Sequence, residues 1–243
     1  LTIDCYAPAG IGIGNDFDHS YGDIAVDMEG RLEIISNSVD TLCIGGGYNE
    51  DDSEIDLRSG KIGIHMHSHN GLAIGSFNGD ALIDISDKCK LELTVSGIKV
   101  TGIGSCKGIA TISSSADIAI SCTGAQAVAI GSLEDGEGSI YIKSGNLMMK
   151  MRSAKNSAIG AIKGNMNTRV ENADISIDSE GDEITGIGDA LGTGNVAIID
   201  SAVTMKILAA NPKDIGTGSG DLKIVNSTVS SLINNKVITH SNI

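Results

Sequence analysis

Acids and aromatics crowd one end of this chain. Five of its six aromatic residues fall in the first 77 positions: Tyr6, Phe17, Tyr21, Tyr48 and Phe77. Carboxylates flank three of them, Asp16 and Asp18 beside Phe17, Glu50 and Asp51 after Tyr48, and Asp80 after Phe77. An aromatic face against an apolar ring surface, with carboxylates accepting hydroxyl protons, is the chemistry of carbohydrate recognition. The same stretches, "NDFDHSYGD" (15–23) and "NEDDSE" (49–54), space oxygen ligands at alternate positions, as hard cations prefer. Asp16, Asp18, Asp23, Asp51 and Asp52 are therefore also candidate calcium ligands, although neither stretch follows an EF-hand. The competing reading is packing, with Cys106, Leu133, Ile162 and Ala190 taking the equivalent places further on.

Three other groups of residues could carry chemistry. Asp56 and Asp84 fall at equivalent places in "EIDL" and "LIDI"; two carboxylates about 5 Å apart suit a retaining glycosidase. "HMHSH" sets His65, His67 and His69 on one face of a strand, about 6.6 Å apart, too far to share one metal unaided. By strand alignment His65 lies between Ile35 and Thr94 and His67 between Asn37 and Ser96, with no carboxylate beside either. The five cysteines show no zinc-ligand spacing and read as small buried hydrophobes.

What must position these residues is a repeat. "CIGGGYNEDD" (43–52) resembles a phosphate loop, but such a loop occurs once and leads from a strand into a helix. Here Ile-Gly recurs at Ile13, Ile44, Ile74, Ile103, Ile130, Ile159, Ile187 and Ile215, at intervals of 27 to 31 residues. No helical periodicity follows any copy. Within each unit apolar residues alternate, as in strands: "DIAVDM" (23–28), then "LEII" (32–35), then a shorter segment into the next Ile-Gly. Units this short fall below a propeller blade and fit one coil of a solenoid.

The expected fold is therefore all-β: one right-handed parallel β-helix over residues 1–243, about eight coils of ~28 residues with three short strands each. Like residues then stack, Leu32 on Ile62 and Leu91, Ile34 on Ile64 and Leu93, over a rod about 38 Å long. Cys5 and Cys122 share a column four coils apart, roughly 19 Å, beyond the reach of a disulfide. Neither end reads as capped, so the chain is expected to be a segment of a longer protein or to be covered by another chain.

Charge narrows the partners. The net charge is −14, and residues 1–60 hold thirteen acids against Arg31 and Arg58, a balance of −11. Such a surface repels nucleic acid. No run approaches the roughly 20 apolar residues of a membrane helix.

"LTID", "AGIGIG" and "CIGGG", with the alternating strands after them, resemble the glycine-rich, AGIGGG-type repeats of large bacterial surface proteins. More distantly they are similar to β-helix carbohydrate-binding modules of anaerobic bacteria that degrade plant polysaccharide. The resemblance implies a secreted or cell-surface location and, in the second case, sometimes calcium. The expected function is a non-catalytic spacer or adhesin binding polysaccharide or calcium weakly at its acidic N-terminal coils. The alternatives are a polysaccharide-active enzyme using Asp56 and Asp84, or a rod that self-associates through its ends.

Overall fold

The computed structural model describes residues 1–6, 9–14, 22–46, 52–134 and 136–241. The described elements are all strands. In chain order they are β1 (Thr2–Cys5), β2 (Ala9–Gly14), β3 (Gly22–Val26), β4 (Arg31–Asn37), β5 (Asp40–Gly46), β6 (Ser53–Leu57) and β7 (Gly60–Ser76). Next come β8 (Ala81–Ile85), β9 (Cys89–Ser105), β10 (Ile109–Ser114), β11 (Asp117–Ser132), β12 (Gly136–Ile142) and β13 (Gly145–Ala161). The last are β14 (Gly164–Glu171), β15 (Ala173–Ile187), β16 (Val196–Ile199), β17 (Ala202–Ile215), β18 (Leu222–Val225), β19 (Thr228–Ile233) and β20 (Lys236–His240).

They form two parallel sheets that the chain visits in turn. The larger is ordered β1-β4-β7-β9-β11-β13-β15-β17-β19-β20, with β2 and β5 extending its second half. The smaller is ordered β18-β16-β14-β12-β10-β8-β6-β3. Each strand therefore pairs with its counterpart one coil away, the architecture of a β-solenoid of about eight turns. The expected columns hold in register: Leu32 with Ile62 and Leu91, Ile34 with Ile64 and Leu93, and Ile44 with Ile74 and Ile103. One buried cluster made of these columns runs from Leu32 to Val229.

The repeated glycine has two separate reasons to be glycine. Gly14, Gly45, Gly75, Gly104, Gly131, Gly160, Gly188 and Gly216 all have φ between 110° and 150°, a region L side chains avoid. At all but Gly216, an added Cβ would also overlap the carbonyl oxygen of the matching glycine in the next coil. The corner is a backbone-on-backbone stack.

Two expectations need correction. In the central coils the second and third segments are not separate strands. β7, β9 and β13 each run 17 residues through the bend. Pairing resumes on both sides of the bend, as at Ser68 with Gly97 and Asn70 with Lys99. The C-terminal end, in turn, is not bare. β20 folds back antiparallel onto β19 through Asn234-Asn235, both at positive φ (46° and 67°), as a two-residue hairpin turn requires. Val229 on β19 and Ile224 on β18 are buried, whereas at the other end Ile3, Ile13, Ile24 and Val26 are only partly covered.

Candidate functional site

Of the acidic and aromatic residues singled out from the sequence, Asp16, Phe17, Asp18, Tyr48, Glu50 and Asp51 lie outside the described residues. The others can be placed. Phe77 is 3% exposed and packs with Leu42 and Leu72, with Ile11 and Cys106 against them. Its ring is corner packing and offers no face to a ligand, which corrects its assignment as a binding residue. Asp23, Asp52 and Asp80 do come together. With Glu54, Leu82 and Ile109 they line a shallow cleft of about 360 Å³ on the smaller sheet. Register explains the meeting: Asp23 pairs with Glu54 and Glu54 with Leu82 on successive coils, all pointing outward.

The carboxylates in this cleft are not all alike. Asp80 Oδ1 accepts the backbone N–H of Ile109 at 2.8 Å, so it partly serves to hold the next coil. Asp23, Asp52 and Glu54 enter no ion pair among the described residues. Leu82 and Ile109 are 48% and 45% exposed, giving the acids an apolar floor. Glu54, Leu82 and Ile109 were missed in the sequence. Their signal was the alternation of "SEIDL" and "ALIDI", which puts Glu54 and Leu82 on the outward face with Asp56 and Asp84.

Asp56 and Asp84 are neighbours in register, as expected. Both are already engaged. Asp56 Oδ2 accepts Arg58 Nε at 2.7 Å, and Asp84 Oδ1 accepts Ser113 Oγ at 2.7 Å with Lys143 Nζ at 3.8 Å. Further along the same face Tyr141 donates to Glu171, which Arg169 also holds. The hydroxyl and guanidinium together keep the Glu171 carboxyl below its ordinary range.

The histidines differ from expectation. His65 has a carboxylate beside it: Glu33 Oε1 lies 2.9 Å from Nε2. Strand alignment hid this contact because Glu33 pairs with Gly63, not with His65. The missing side chain at Gly63 leaves room for the Glu33 carboxylate, which an added Cβ would meet, and from there it reaches diagonally. Arg31 binds the same carboxylate, and this hydrogen bond, with the charge of Arg31 and His65, holds it below the usual range. His67 Nδ1 lies 2.9 Å from Ser96 Oγ. No group of three or more metal-ligating side chains is placed to hold an ion among the described residues.

Beside His65 the larger sheet carries a trough of about 450 Å³, where Ala119 and Ser121 lie low between Glu92 and Thr94 on one side and Met148 and Lys150 on the other. This face is less flat than the repeat implied.

Cys43, Cys89 and Cys122 are buried as expected, whereas Cys5 and Cys106 are only partly so. All five cysteines are free, and Cys5 stacks on Ser36 while Cys122 lies between Val95 and Met151. Burial pushes Cys122 and Cys106 up to about 12 and Cys89 to about 11, so none is a thiolate at neutral pH.

One buried acid escaped the sequence reading. Asp189 follows Ile187-Gly188 where other coils place Ser76, Ser105 or Ser132. It is fully buried; Oδ2 accepts the N–H groups of Met166 (3.0 Å) and Gly194 (3.1 Å), while Oδ1 has no partner. Burial outweighs these bonds and raises its carboxyl above the ordinary range. Lys213 Nζ, a few ångströms away, donates instead to the carbonyls of Asp189 and Ala190.

Comparison with protein-family models finds no match for this chain, and comparisons with the curated proteins and with the solved structures find none either.

Proposed function

We propose that the chain is a non-catalytic β-solenoid module of a secreted or cell-surface protein, a spacer or adhesin that binds carbohydrate or calcium weakly at its acidic N-terminal coils. The observation that carries this reading is the unbroken core from Leu32 to Val229, built of residues stacked on their own kind. Such a stack couples each coil only to its neighbours and resists bending, which suits holding two points apart. The cleft of Asp23, Asp52 and Glu54 over Leu82 and Ile109 is where a ligand would sit. Acids on an apolar floor match sugar hydroxyls over ring carbons. Asp56, half-buried, and Asp84, exposed, are both already bonded and favour no catalytic reading.

The test has two arms. Small-angle scattering should give a rod whose cross-section stays constant along its length. Calcium titration and a glycan array, each repeated on Asp23→Asn/Glu54→Gln, should give signals that the variant loses. Silence in both ligand assays would remove the binding role, and a compact scattering profile would remove the spacer.

A further inference from the structure

The turn between the two sheets opposite the cleft carries an arrangement that neither the spacer reading nor the acidic cleft uses. Arg31, Lys61 and Lys90 are direct cross-strand partners on β4, β7 and β9. Three cations thus stack at successive spacings of about 4.8 Å. Like charges directly opposite one another destabilise a sheet. In a chain of net charge −14 such a stack is not a by-product of a basic composition.

Neighbouring acids offset it only in part. Arg31 is held by Glu33 and, at 3.4 Å, by Glu92, which occupies both carboxylates on one cation. Asp117, the cross-strand partner of Lys90 on β11, stays charged beside it while its Oδ1 accepts the backbone N–H and the side-chain amide of Asn146, both at 2.9 Å. Asp87 accepts Ser86 Oγ at 3.1 Å. Lys61, Lys88 and Lys90 are exposed and enter no ion pair among the described residues.

These three lysines also share a cleft. With Arg31, and with the carboxylates of Asp87 and Asp117, they line a depression of about 630 Å³ at the turn, where four cations outnumber two acids. Gly30 has nothing within 4 Å of where a Cβ would stand, so the space above the stack is free.

We propose that this cleft binds a small multivalent oxyanion, one carrying two carboxylate or phosphate groups about one strand spacing apart. Lys61 and Lys90 each take one group, and Lys88 closes on the ligand from the turn. Two lysines rooted on adjacent rungs, whose backbones lie about 4.8 Å apart, favour a ligand with two charges over one with a single charge, since each added charge meets a further cation. The ligand's charge removes the repulsion within the stack, so binding and stabilisation are one event.

The test is thermal unfolding at low ionic strength with citrate and with pyrophosphate as separate probes and acetate as the monovalent control. At a tenfold excess over Kd, citrate or pyrophosphate should raise Tm by about 3–6 °C, and acetate at the same concentration should not. Lys61→Gln/Lys90→Gln should abolish the rise, while Lys163→Gln, at a different turn, should keep it. Because both lysines are exposed and mutually repelling, the double variant should fold with an unliganded Tm equal to or above that of the parent. Amide resonances of Gly30 and Gly60 should shift on titration. A rise with citrate but not pyrophosphate, or the reverse, identifies the ligand as carboxylate or phosphate. An equal rise in the double variant, or with acetate, overturns the proposal, as does the absence of any shift at Gly30 and Gly60 with both probes.

Discussion

Inside the rod and outside it, the same register operates on different chemistry. At one level of the larger sheet it lays Ile64 on Leu93 and Ile120, all buried. Three residues earlier on the same strands it sets Lys61 against Lys90, both exposed. Repetition is favourable for the inner columns, because each aliphatic side chain finds a partner of its own shape. For the outer columns repetition is costly, and the chain mostly avoids it by alternating charges. Lys150 is followed by Asp178 and then Lys206, and Arg152 by Glu180. The solenoid's stability is therefore held inside, and departures from alternation outside mark places under other demands.

The corner glycines give the sharpest way to break this contrast. Gly104→Ala should cost several kcal/mol, since the new methyl meets both an unfavourable φ and the Gly131 carbonyl. Gly216→Ala has the first problem and not the second, as nothing lies within 4 Å. It should cost about 1–3 kcal/mol. Equal losses in denaturant titrations would mean that the stacked carbonyls can move apart and that the corner is not a rigid backbone column.

Next in size is the inner column itself. Ile120→Ala, at 2% exposure, should lose about 2–5 kcal/mol, with the denaturant slope unchanged. A loss below 1 kcal/mol would show neighbouring coils collapsing into the gap, contrary to close packing.

These inner positions were legible in the amino-acid sequence, and the outer ones were less so, for a physical reason. A period of two and a recurring Ile-Gly report which way a side chain points and which residues share a level. Leu32, Ile62 and Leu91, or Cys5 and Cys122, could be placed from that alone. What lay beyond reach was whatever depends on side-chain reach rather than register. Glu33 contacts His65 only because Gly63 leaves a gap between them. Asp80 lines the cleft and also bonds the next coil's backbone, which register alone does not show. Phe77 looked like a surface aromatic, but its neighbours Leu42 and Leu72 enclose it. The β19–β20 hairpin did have a signal, Asn234-Asn235 between two alternating stretches, overlooked because the solenoid period predicted another parallel coil there.

A smaller effect concerns the one carboxylate placed inside. Burial raises the Asp189 carboxyl in the folded state above its unfolded value near 3.8. Its contribution is then full below about pH 4 and is lost as pH rises through the folded value. Compared with Asp189→Asn, the parent should lose stability between pH 4 and neutrality. Denaturant midpoints measured in parallel cancel the self-repulsion that both proteins share. A difference that stays flat, or grows with pH, would mean Lys213 turns from the Asp189 and Ala190 carbonyls to the unpartnered oxygen.

The smallest expected effect lies on the outer stack, and its sign matters more than its size. Lys61→Gln removes the middle of three aligned cations, whose nearest acids, Glu33 and Glu92, are held by Arg31. At low ionic strength, with no multivalent anion present, the variant should be slightly more stable than the parent. Raising the salt to about 1 M shortens the screening length to roughly 3 Å, less than one strand spacing, and the two proteins should then converge. Ile120→Ala should show no such convergence, because the cavity it leaves is indifferent to screening. If Lys61→Gln were instead destabilising at low salt and neutral at high salt, the middle lysine would be attracted by Glu33 and Glu92 more than it is repelled by Arg31 and Lys90. The outer columns would then obey the same rule of compatible neighbours as the inner ones, reached along diagonals rather than along rungs.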